Sequence, residues 1–269
     1  MKYLYNNPRT GVTGEFAFHL DLLENPSKSK RMFNFPGFSE TPLTFSMDLI
    51  RPTFFALELM PIIVELAQKF ELYVFDPQSE IVRAPAIQHT DKLIESWDNK
   101  NRTLVNPILS NPDNTPLVCK RGFADEWWKY MYHLEDIREH NPIDVFIPEM
   151  LILRNSKSNS LFRAITWADF MPIAIPECDY IAMIETKGLY SSKFNDLGVY
   201  KFSDILNVFG QFIKKQMIFD RKFFIIDTEA SEEFADEFMH KLKSVNSQKA
   251  KKFTAVESED FLDFHVKSR

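Results

Sequence analysis

The chain has 269 residues, of which 45% are hydrophobic and 26% charged, and this composition excludes disorder over most of its length. Its net charge of −6 argues against nucleic acid as a partner, because phosphate groups attract basic proteins. A chain with this charge is better suited to a basic protein partner.

The cysteines and the apolar segments indicate the cellular compartment of the protein. Cys119 and Cys178 form no CxxC pair, and as small buried hydrophobic residues they fit a reducing compartment. The start of the chain lacks the apolar region of a signal peptide, and the longest apolar run, residues 54–67, is too short to span a bilayer. We therefore expect a cytoplasmic protein without a membrane partner.

The first third of the chain predicts short strands around one very apolar helix. Residues 2–24 indicate two extended segments, and residues 43–49 alternate between apolar and polar side chains as a half-buried strand does. Pro52 suits the first turn of a helix, and Pro61 is expected to kink that helix or split it. Residues 72–75 indicate a short buried strand.

Two further helices precede a run of strands. One helix is predicted from Thr90 to about Leu109, and another where apolar residues step by three and four positions from Phe123 to Ile137. After residue 142 the pattern changes to β-structure. The predicted strands cover residues 143–153, 161–167 and 180–185, with a polar hairpin turn at 155–159 between the first two.

The last third of the chain has a mixed pattern. It predicts a helix over residues 203–214, a strand over 223–226, a helix capped by Thr228, and a polar loop at 244–252 before the C-terminal tail. No internal repeat and no linker rich in Ser, Gly or Pro divides the chain. The order of elements predicts an α+β fold in a single domain, residues 1–269, with a mixed β-sheet flanked by helices.

One predicted strand end is similar to the catalytic pattern of metal-dependent nucleases. An apolar strand ends in Glu185 and Lys187, and in such enzymes carboxylates bind Mg²⁺ while the lysine assists the attacking water. A second carboxylate on a neighbouring strand end is required, and Asp169, Glu177 or Asp179 could supply it. An exposed strand end explains the same residues without catalysis, and the negative net charge argues against DNA as the substrate.

A helical spacing also brings three candidate metal ligands together. His133, Asp136 and His140 share one side of the predicted third helix, so metal ligation is geometrically possible. Charged neighbours on and beside that side favour a solvated surface instead. We therefore expect no metal site here.

Polar residues at the ends of two predicted strands form a possible ligand pocket. Arg51 and the pair Asp76 and Gln78 lie at strand ends beside the apolar helix, where sites, caps and ion pairs all occur. Trp97 and Asn101 lie one turn apart on the apolar side of the second helix. A buried amide needs hydrogen-bond partners, and a bond from Asn101 to a loop carbonyl accounts for it without a ligand.

The last predicted helix begins with acids and ends with bases. This distribution complements the helix dipole and so needs no functional explanation. It also forms an anionic patch that a cationic partner can bind. The acids are Glu229, Glu232, Glu233, Asp236 and Glu237.

The motifs of common cofactor enzymes are missing from the sequence. The chain has no GxGxxG or Walker loop and no GxSxG or HExxH motif. We therefore expect no cofactor, and a binding role fits the sequence better than a catalytic one.

Several short motifs lie in order between Tyr5 and Glu185. They are Tyr5-Asn6 with Thr10-Gly11-Val12, Arg51-Pro52-Thr53-Phe54-Phe55 with Glu58, Asp76-Pro77-Gln78, Ser96-Trp97 with Asn101, Trp127-Trp128, Phe146-Ile147-Pro148, Thr166-Trp167-Ala168-Asp169, and Pro176 with Asp179-Tyr180. Together they resemble a family of uncharacterised bacterial cytoplasmic proteins, some of which look like immunity or accessory proteins of bacterial antagonism systems. The resemblance implies no catalytic residue, and the Glu185-Thr186-Lys187 end lies outside the shared pattern.

The sequence leads to one main expectation and two alternatives. The main expectation is a non-enzymatic immunity protein of a type VI secretion or similar system, which neutralises a toxin by covering its basic active site with an acidic, aromatic-containing surface. The first alternative is a Mg²⁺-dependent nuclease that uses Asp169, Glu185 and Lys187. The second is a sensor that binds a small ligand near Arg51, Asp76 and Trp97.

Overall fold

The computed structural model describes residues 1–19, 35–79, 86, 89–110, 116–186, 194–231, 241–242, 245 and 247–264. Two compact units divide the chain, and we treat each separately. Unit 1 contains Met1–Asp125 with Ser258–Arg269, and unit 2 contains Glu126–Glu257. The predicted α+β class with a mixed sheet is confirmed. A single domain over residues 1–269 stays a prediction.

The described part of unit 1 contains two small sheets. Strands β1 (Lys2–Asn6), β2 (Thr13–Phe18) and β3 (Leu43–Ser46) pair antiparallel in that order. Strand β4 (Leu117–Lys120) pairs in parallel with the last strand, β14 (Phe261–Phe264). The alternation of apolar and polar residues from Leu43 onward therefore predicted β3 correctly, because one side of that strand packs and the other meets solvent.

The two long helices of unit 1 match their predictions closely. Helix α1 (Phe54–Lys69) buries most of its apolar residues, and helix α2 (Thr90–Ser110) begins at the predicted residue. Pro61 lies within α1 and does not split it, because packing of the apolar residues on both sides outweighs the lost hydrogen bond. Residues 72–75 form no strand of their own, and only Val74 makes an isolated bridge, to Ala86.

The helix predicted from Phe123 to Ile137 is interrupted at His133. Helix α3 (Arg121–Tyr132) ends there, and the short helix α4 (Leu134–Glu139) begins immediately after it. The boundary between the two units falls within α3. The spacing of the apolar residues continues through the interruption, so periodicity alone could not reveal it.

Unit 2 is built on a six-stranded mixed sheet in the order β12-β9-β8-β6-β5-β13. Strands β6 and β8 are parallel, and the other neighbours are antiparallel. The hairpin between β5 and β6 turns at the predicted polar residues 155–159. The strands are β5 (Met150–Asn155), β6 (Leu161–Ala168), β8 (Tyr180–Thr186), β9 (Phe194–Lys201), β12 (Ser247–Gln248) and β13 (Phe253–Val256).

A three-stranded sheet completes the β-structure of unit 2. Strand β11 (Arg221–Ile226) lies between β10 (Lys214–Ile218) and β7 (Ile173–Pro176), and both neighbours are antiparallel to it. Helix α5 (Phe202–Phe209) is shorter than the predicted helix over residues 203–214, because a 3-10 turn and then β10 follow it. The predicted polar loop at 244–252 contains β12 and a second 3-10 turn.

Both sides of the six-stranded sheet are covered by apolar side chains. The larger core cluster joins Ile165 and Ile181 to residues of α5 and β11, and a smaller cluster contains their neighbours Ala164 and Tyr180. Consecutive strand residues point to opposite sides of a sheet, so the two clusters lie on opposite sides. Within the described ranges, none of the helices is both long and apolar enough to cross a membrane.

Candidate functional site

The structure brings two of the predicted nuclease residues to one edge of the sheet. The parallel register pairs Ala168 of β6 with Ile184 of β8, and the Asp169 N–H donates to the Ile184 carbonyl at 3.0 Å. Asp169 and Glu185 therefore follow paired positions of two neighbouring strands, and both are exposed. The nuclease pattern requires carboxylates on neighbouring strand ends, but the sequence alone does not show which strands are neighbours.

The other residues of the predicted nuclease pattern are Glu177, Asp179 and Lys187. Glu177 pairs with Lys222 at 3.1 Å, and Asp179 accepts the Arg163 backbone N–H at 2.7 Å, so both carboxylates already have partners. Lys187 lies outside the described residues. Among the residues that the structure describes, no three His, Cys, Asp or Glu side chains form a group that could hold a metal ion.

Five residues were predicted to line a pocket, and one of them, Asn101, holds a loop. Asn101, which is 4% exposed, accepts the Ile50 N–H at 2.6 Å and donates to the Arg51 carbonyl at 2.8 Å. Ile50 has a φ of 63°, so Asn101 stabilises a strained loop backbone. The loop-carbonyl interpretation of this buried amide is therefore confirmed.

The other predicted pocket residues have separate local roles. The Arg51 guanidinium pairs with Asp48 at 3.2 Å, and Asp76 accepts the Gln78 backbone N–H at 2.9 Å within a turn. The Trp97 indole N–H is buried and meets no acceptor within the described part of the chain. A ligand pocket at these residues stays a prediction.

Most of the predicted acidic patch falls outside the described residues. Glu232, Glu233, Asp236 and Glu237 are not described, and Glu229 is exposed at the start of the last helix. Asp227, one residue before the predicted cap at Thr228, caps that helix by accepting the Ala230 N–H at 3.0 Å. The patch as a binding surface stays a prediction.

The two cysteines are buried free thiols. Burial is the main cause that raises the pKa of Cys119 and the pKa of Cys178 far above the usual range for a thiol. Neither sulfur is therefore a reactive thiolate near neutral pH. Both behave as the small hydrophobic residues that the sequence predicted.

The most distinctive surface of unit 2 is a chain of contacting rings, which we call the surface ring cluster. Its successive ring centroids are 5.0–5.7 Å apart, within the range of favourable aromatic contacts. Its end members are Trp128 and His140, and Tyr132 and Phe219 are each 40% exposed. The cluster contains, in contact order, Trp128, Tyr132, His133, Phe219 and His140.

Two irregular features of the backbone place these rings together. The interruption between α3 and α4 falls at His133, and the two-residue turn between β10 and β11 is formed by Phe219 and Asp220. Both turn residues have positive φ, 47° and 59°, which suits glycine or asparagine and strains a phenylalanine. Strained backbone that the surrounding structure maintains is often found at functional sites.

Sequence reasoning grouped three members of this region for a different reason. His133, Asp136 and His140 were considered as metal ligands, and the structure gives them short-range contacts instead. The His133 Nδ1 lies 3.0 Å from the Asp136 carboxylate, and the His140 Nδ1 lies 2.7 Å from the Asp136 carbonyl. Phe219 was missed because nothing in the sequence links a turn near residue 219 to a helix near residue 133.

Comparisons with known proteins add no relative. No protein-family model, curated protein or solved structure matches this chain. Kinship with the bacterial family that the motifs resemble therefore stays a prediction.

Proposed function

We propose that the protein is a non-enzymatic immunity protein that binds a cationic toxin and covers its active site, and that the surface ring cluster of unit 2 is the central part of the interface. The observation that carries this proposal is the cluster itself: five contacting rings, two of them 40% exposed, maintained by a strained turn. Large aromatic side chains supply most of the binding energy in many interfaces.

The charges around the cluster support a cationic partner. In residues 126–140 and 219–221, carboxylates outnumber lysines and arginines, and the whole chain carries a net charge of −6. Charge complementarity of this kind accelerates association and selects among partners. A toxin that cleaves nucleic acid has a basic active site, because it must attract phosphate groups. Such a toxin fits both the rings and the charge of this surface.

The rings can anchor a partner at low entropic cost. Trp128 and Tyr132 contact each other at 5.4 Å, and Phe219 contacts both histidines of the cluster. Because these side chains already restrain one another, little further side-chain freedom is lost on binding. A standard interface of roughly 1,600 Å² can therefore be centred on them, with the charged residues forming its rim.

The decisive experiment uses the product of the neighbouring gene as the toxin. Co-expression should restore growth of cells that produce this toxin, and the two purified proteins should form a complex. The variant Phe219→Asn should weaken the complex at least about tenfold, because it removes the exposed ring that contacts both histidines. Asparagine tolerates positive φ, so the hairpin itself should remain folded.

The matched control is Met217→Asn in the same hairpin. Met217 is 60% exposed on β10 and takes no part in the ring contacts, so this variant should bind as the natural protein does. Equal binding by Phe219→Asn and the natural protein would show that the ring cluster is not part of the interface. No complex and no rescue with the natural protein would end the immunity proposal.

The adjacency of Asp169 and Glu185 supports one second candidate, a Mg²⁺-dependent nuclease. Carboxylates at paired ends of neighbouring strands can share a divalent cation, and Asp169 lies in a turn with φ of 49°. Under this candidate the purified chain cleaves DNA or RNA when Mg²⁺ or Mn²⁺ is added. Cleavage should be lost in Asp169→Asn and Glu185→Gln and retained in Glu177→Gln, and no cleavage with either metal excludes it.

A further inference from the structure

Unit 2 also contains a half-open cavity, which shares Glu126, Asp220 and Arg221 with the charged surroundings of the surface ring cluster. The cavity has a volume of about 220 Å³, and Tyr130, Met150 and Pro176 form its apolar part. The Tyr130 hydroxyl donates to the Pro148 carbonyl at 2.6 Å, and Tyr130 and Met150 are only 1% and 3% exposed, so this apolar part is a buried floor beneath the charged side chains. The charged lining consists of Arg163, Arg221, Lys222, Glu126, Glu177 and Asp220.

Two ion pairs between charged side chains of the cavity are weak. Arg221 lies 3.9 Å from Glu126, and Lys222 lies 3.1 Å from Glu177. The side chains of Glu126, Glu177 and Lys222 are about half exposed or more, so water competes for both pairs. Ion pairs in such positions contribute little stability. A ligand that offers both a carboxylate and an ammonium group can therefore replace them at small cost.

The balance of charge and the size of the cavity define the ligand class. Three cationic side chains and three carboxylates line the cavity, so a plain anion or a plain cation meets repulsion as well as attraction. The volume is below the range of drug-sized sites. We propose that the cavity binds a small zwitterion, either a free α-amino acid or a whole dipeptide.

The contacts assign a role to each part of the cavity. The guanidinium of Arg221 can bind a carboxylate through two parallel hydrogen bonds, with Lys222 adding positive charge. Glu126 and Glu177 then receive the ammonium group. Tyr130 and Met150 are buried and offer almost no apolar surface, so the two charges of the ligand supply the binding energy.

Calorimetric titration of the full chain with each of the twenty free amino acids tests the proposal. At least one should bind, and its N-acetyl and its amide derivatives should each bind at least tenfold more weakly, because each lacks one charge. A dipeptide with the same first residue distinguishes the two sources: binding at least as tight as that of the free amino acid indicates a dipeptide ligand, and weaker binding indicates the free amino acid.

Variants locate the binding in this cavity. Arg221→Gln and Lys222→Gln should each weaken binding at least tenfold, and Lys222→Gln keeps the test valid if the less exposed Arg221 is needed for folding. Lys157→Gln, in the exposed hairpin turn after β5, should bind as the natural protein does. The proposal is overturned if no amino acid or dipeptide binds at millimolar concentration, if both blocked derivatives bind equally well, or if Lys222→Gln is without effect.

Discussion

A buried carboxylate in α1 explains several residues of the N-terminal motifs. Glu58 is 2% exposed, and its Oε1 accepts hydrogen bonds from Tyr5 at 2.8 Å, Asn7 at 2.8 Å and Thr10 at 3.1 Å. A buried carboxylate must be compensated in this way. Tyr5, Thr10 and Glu58 therefore hold the N-terminal strands on α1, which gives these motif residues a structural role.

Replacing this carboxylate should destabilise unit 1. We expect Glu58→Ala to lower the free energy of unfolding by about 3 kcal/mol, because it leaves buried donors without their acceptor. Urea denaturation measures the change. Glu65→Ala, on an exposed position of the same helix, should change stability by less than about 0.5 kcal/mol. Equal losses in the two variants would contradict a special role for Glu58.

A second carboxylate of unit 1 makes stability depend on pH. Burial is the main cause that raises the pKa of Asp263, and it outweighs the hydrogen bonds from the Thr53 N–H and hydroxyl at 2.9 and 3.0 Å. Its Oδ2 is buried and has no hydrogen-bond partner among the described residues. Above the usual aspartate pKa, the folded protein therefore keeps a proton that the unfolded chain has lost.

The sign of this linkage gives a test. The free energy of unfolding should fall as pH rises from the usual aspartate pKa, about 4, through the raised pKa of Asp263. Asp263→Asn keeps an acceptor for Thr53 and removes the buried charge, so this part of the pH dependence should disappear. Denaturation at a series of pH values from 4 to 7 measures it.

The control for this prediction is an exposed aspartate three residues earlier. Asp260→Asn should retain the pH dependence of the natural protein, because Asp260 is solvated. A slope that is unchanged in Asp263→Asn would show that other groups cause the pH dependence.

At the scale of single elements, turns without glycine are the most unusual feature of this chain. Two turns place consecutive residues at positive φ: Asp169 with Phe170, and Phe219 with Asp220. The Met171 N–H donates to the Ala168 carbonyl at 3.1 Å across the first of them. Tight two-residue turns favour Asn-Gly or Asp-Gly, so a pairing of Asp with Phe gives no turn signal in the sequence.

Relieving one of these turns should stabilise its hairpin. We expect Asp220→Gly to raise the free energy of unfolding by about 0.5–1 kcal/mol, because glycine adopts the φ of 59° without steric cost. Thermal or urea denaturation measures the change. Asp204→Gly, within helix α5, is the matched control and should lower stability, since the backbone there is helical. A loss of stability in Asp220→Gly would contradict strain at this turn.

The elements that the sequence predicted best have a clear period. The stepping of apolar residues predicted α2, and the alternation from Leu43 predicted β3. Strand β7 was missed because all four of its residues, Ile173–Pro176, are buried and therefore do not alternate. Strand β10 was not predicted, and only its first residue, Lys214, fell within the predicted helix over residues 203–214, since the 3-10 turn before β10 leaves no mark on the hydrophobic pattern.

At the scale of the whole molecule, the sites depend on pairings between distant parts of the chain. Strands β6 and β8 are neighbours in the six-stranded sheet while β7 belongs to the other sheet, and this pairing brings Asp169 beside Glu185. The surface ring cluster likewise joins residues 128–140 to Phe219. Sequence reasoning identified the strand end and the histidine spacing, but local patterns carry no information on which strands become neighbours.

The parallel pairing of β4 with β14 has a consequence for biosynthesis. Unit 1 takes its final strand, and the Asp263 carboxylate that holds the N-terminus of α1, from residues that follow all of unit 2 in the chain. While the ribosome is still translating residues 126–257, the first 125 residues lack both. During this interval the apolar helix α1 is incompletely covered. Chaperones that bind exposed apolar surface are therefore expected to bind the N-terminal segment at this stage.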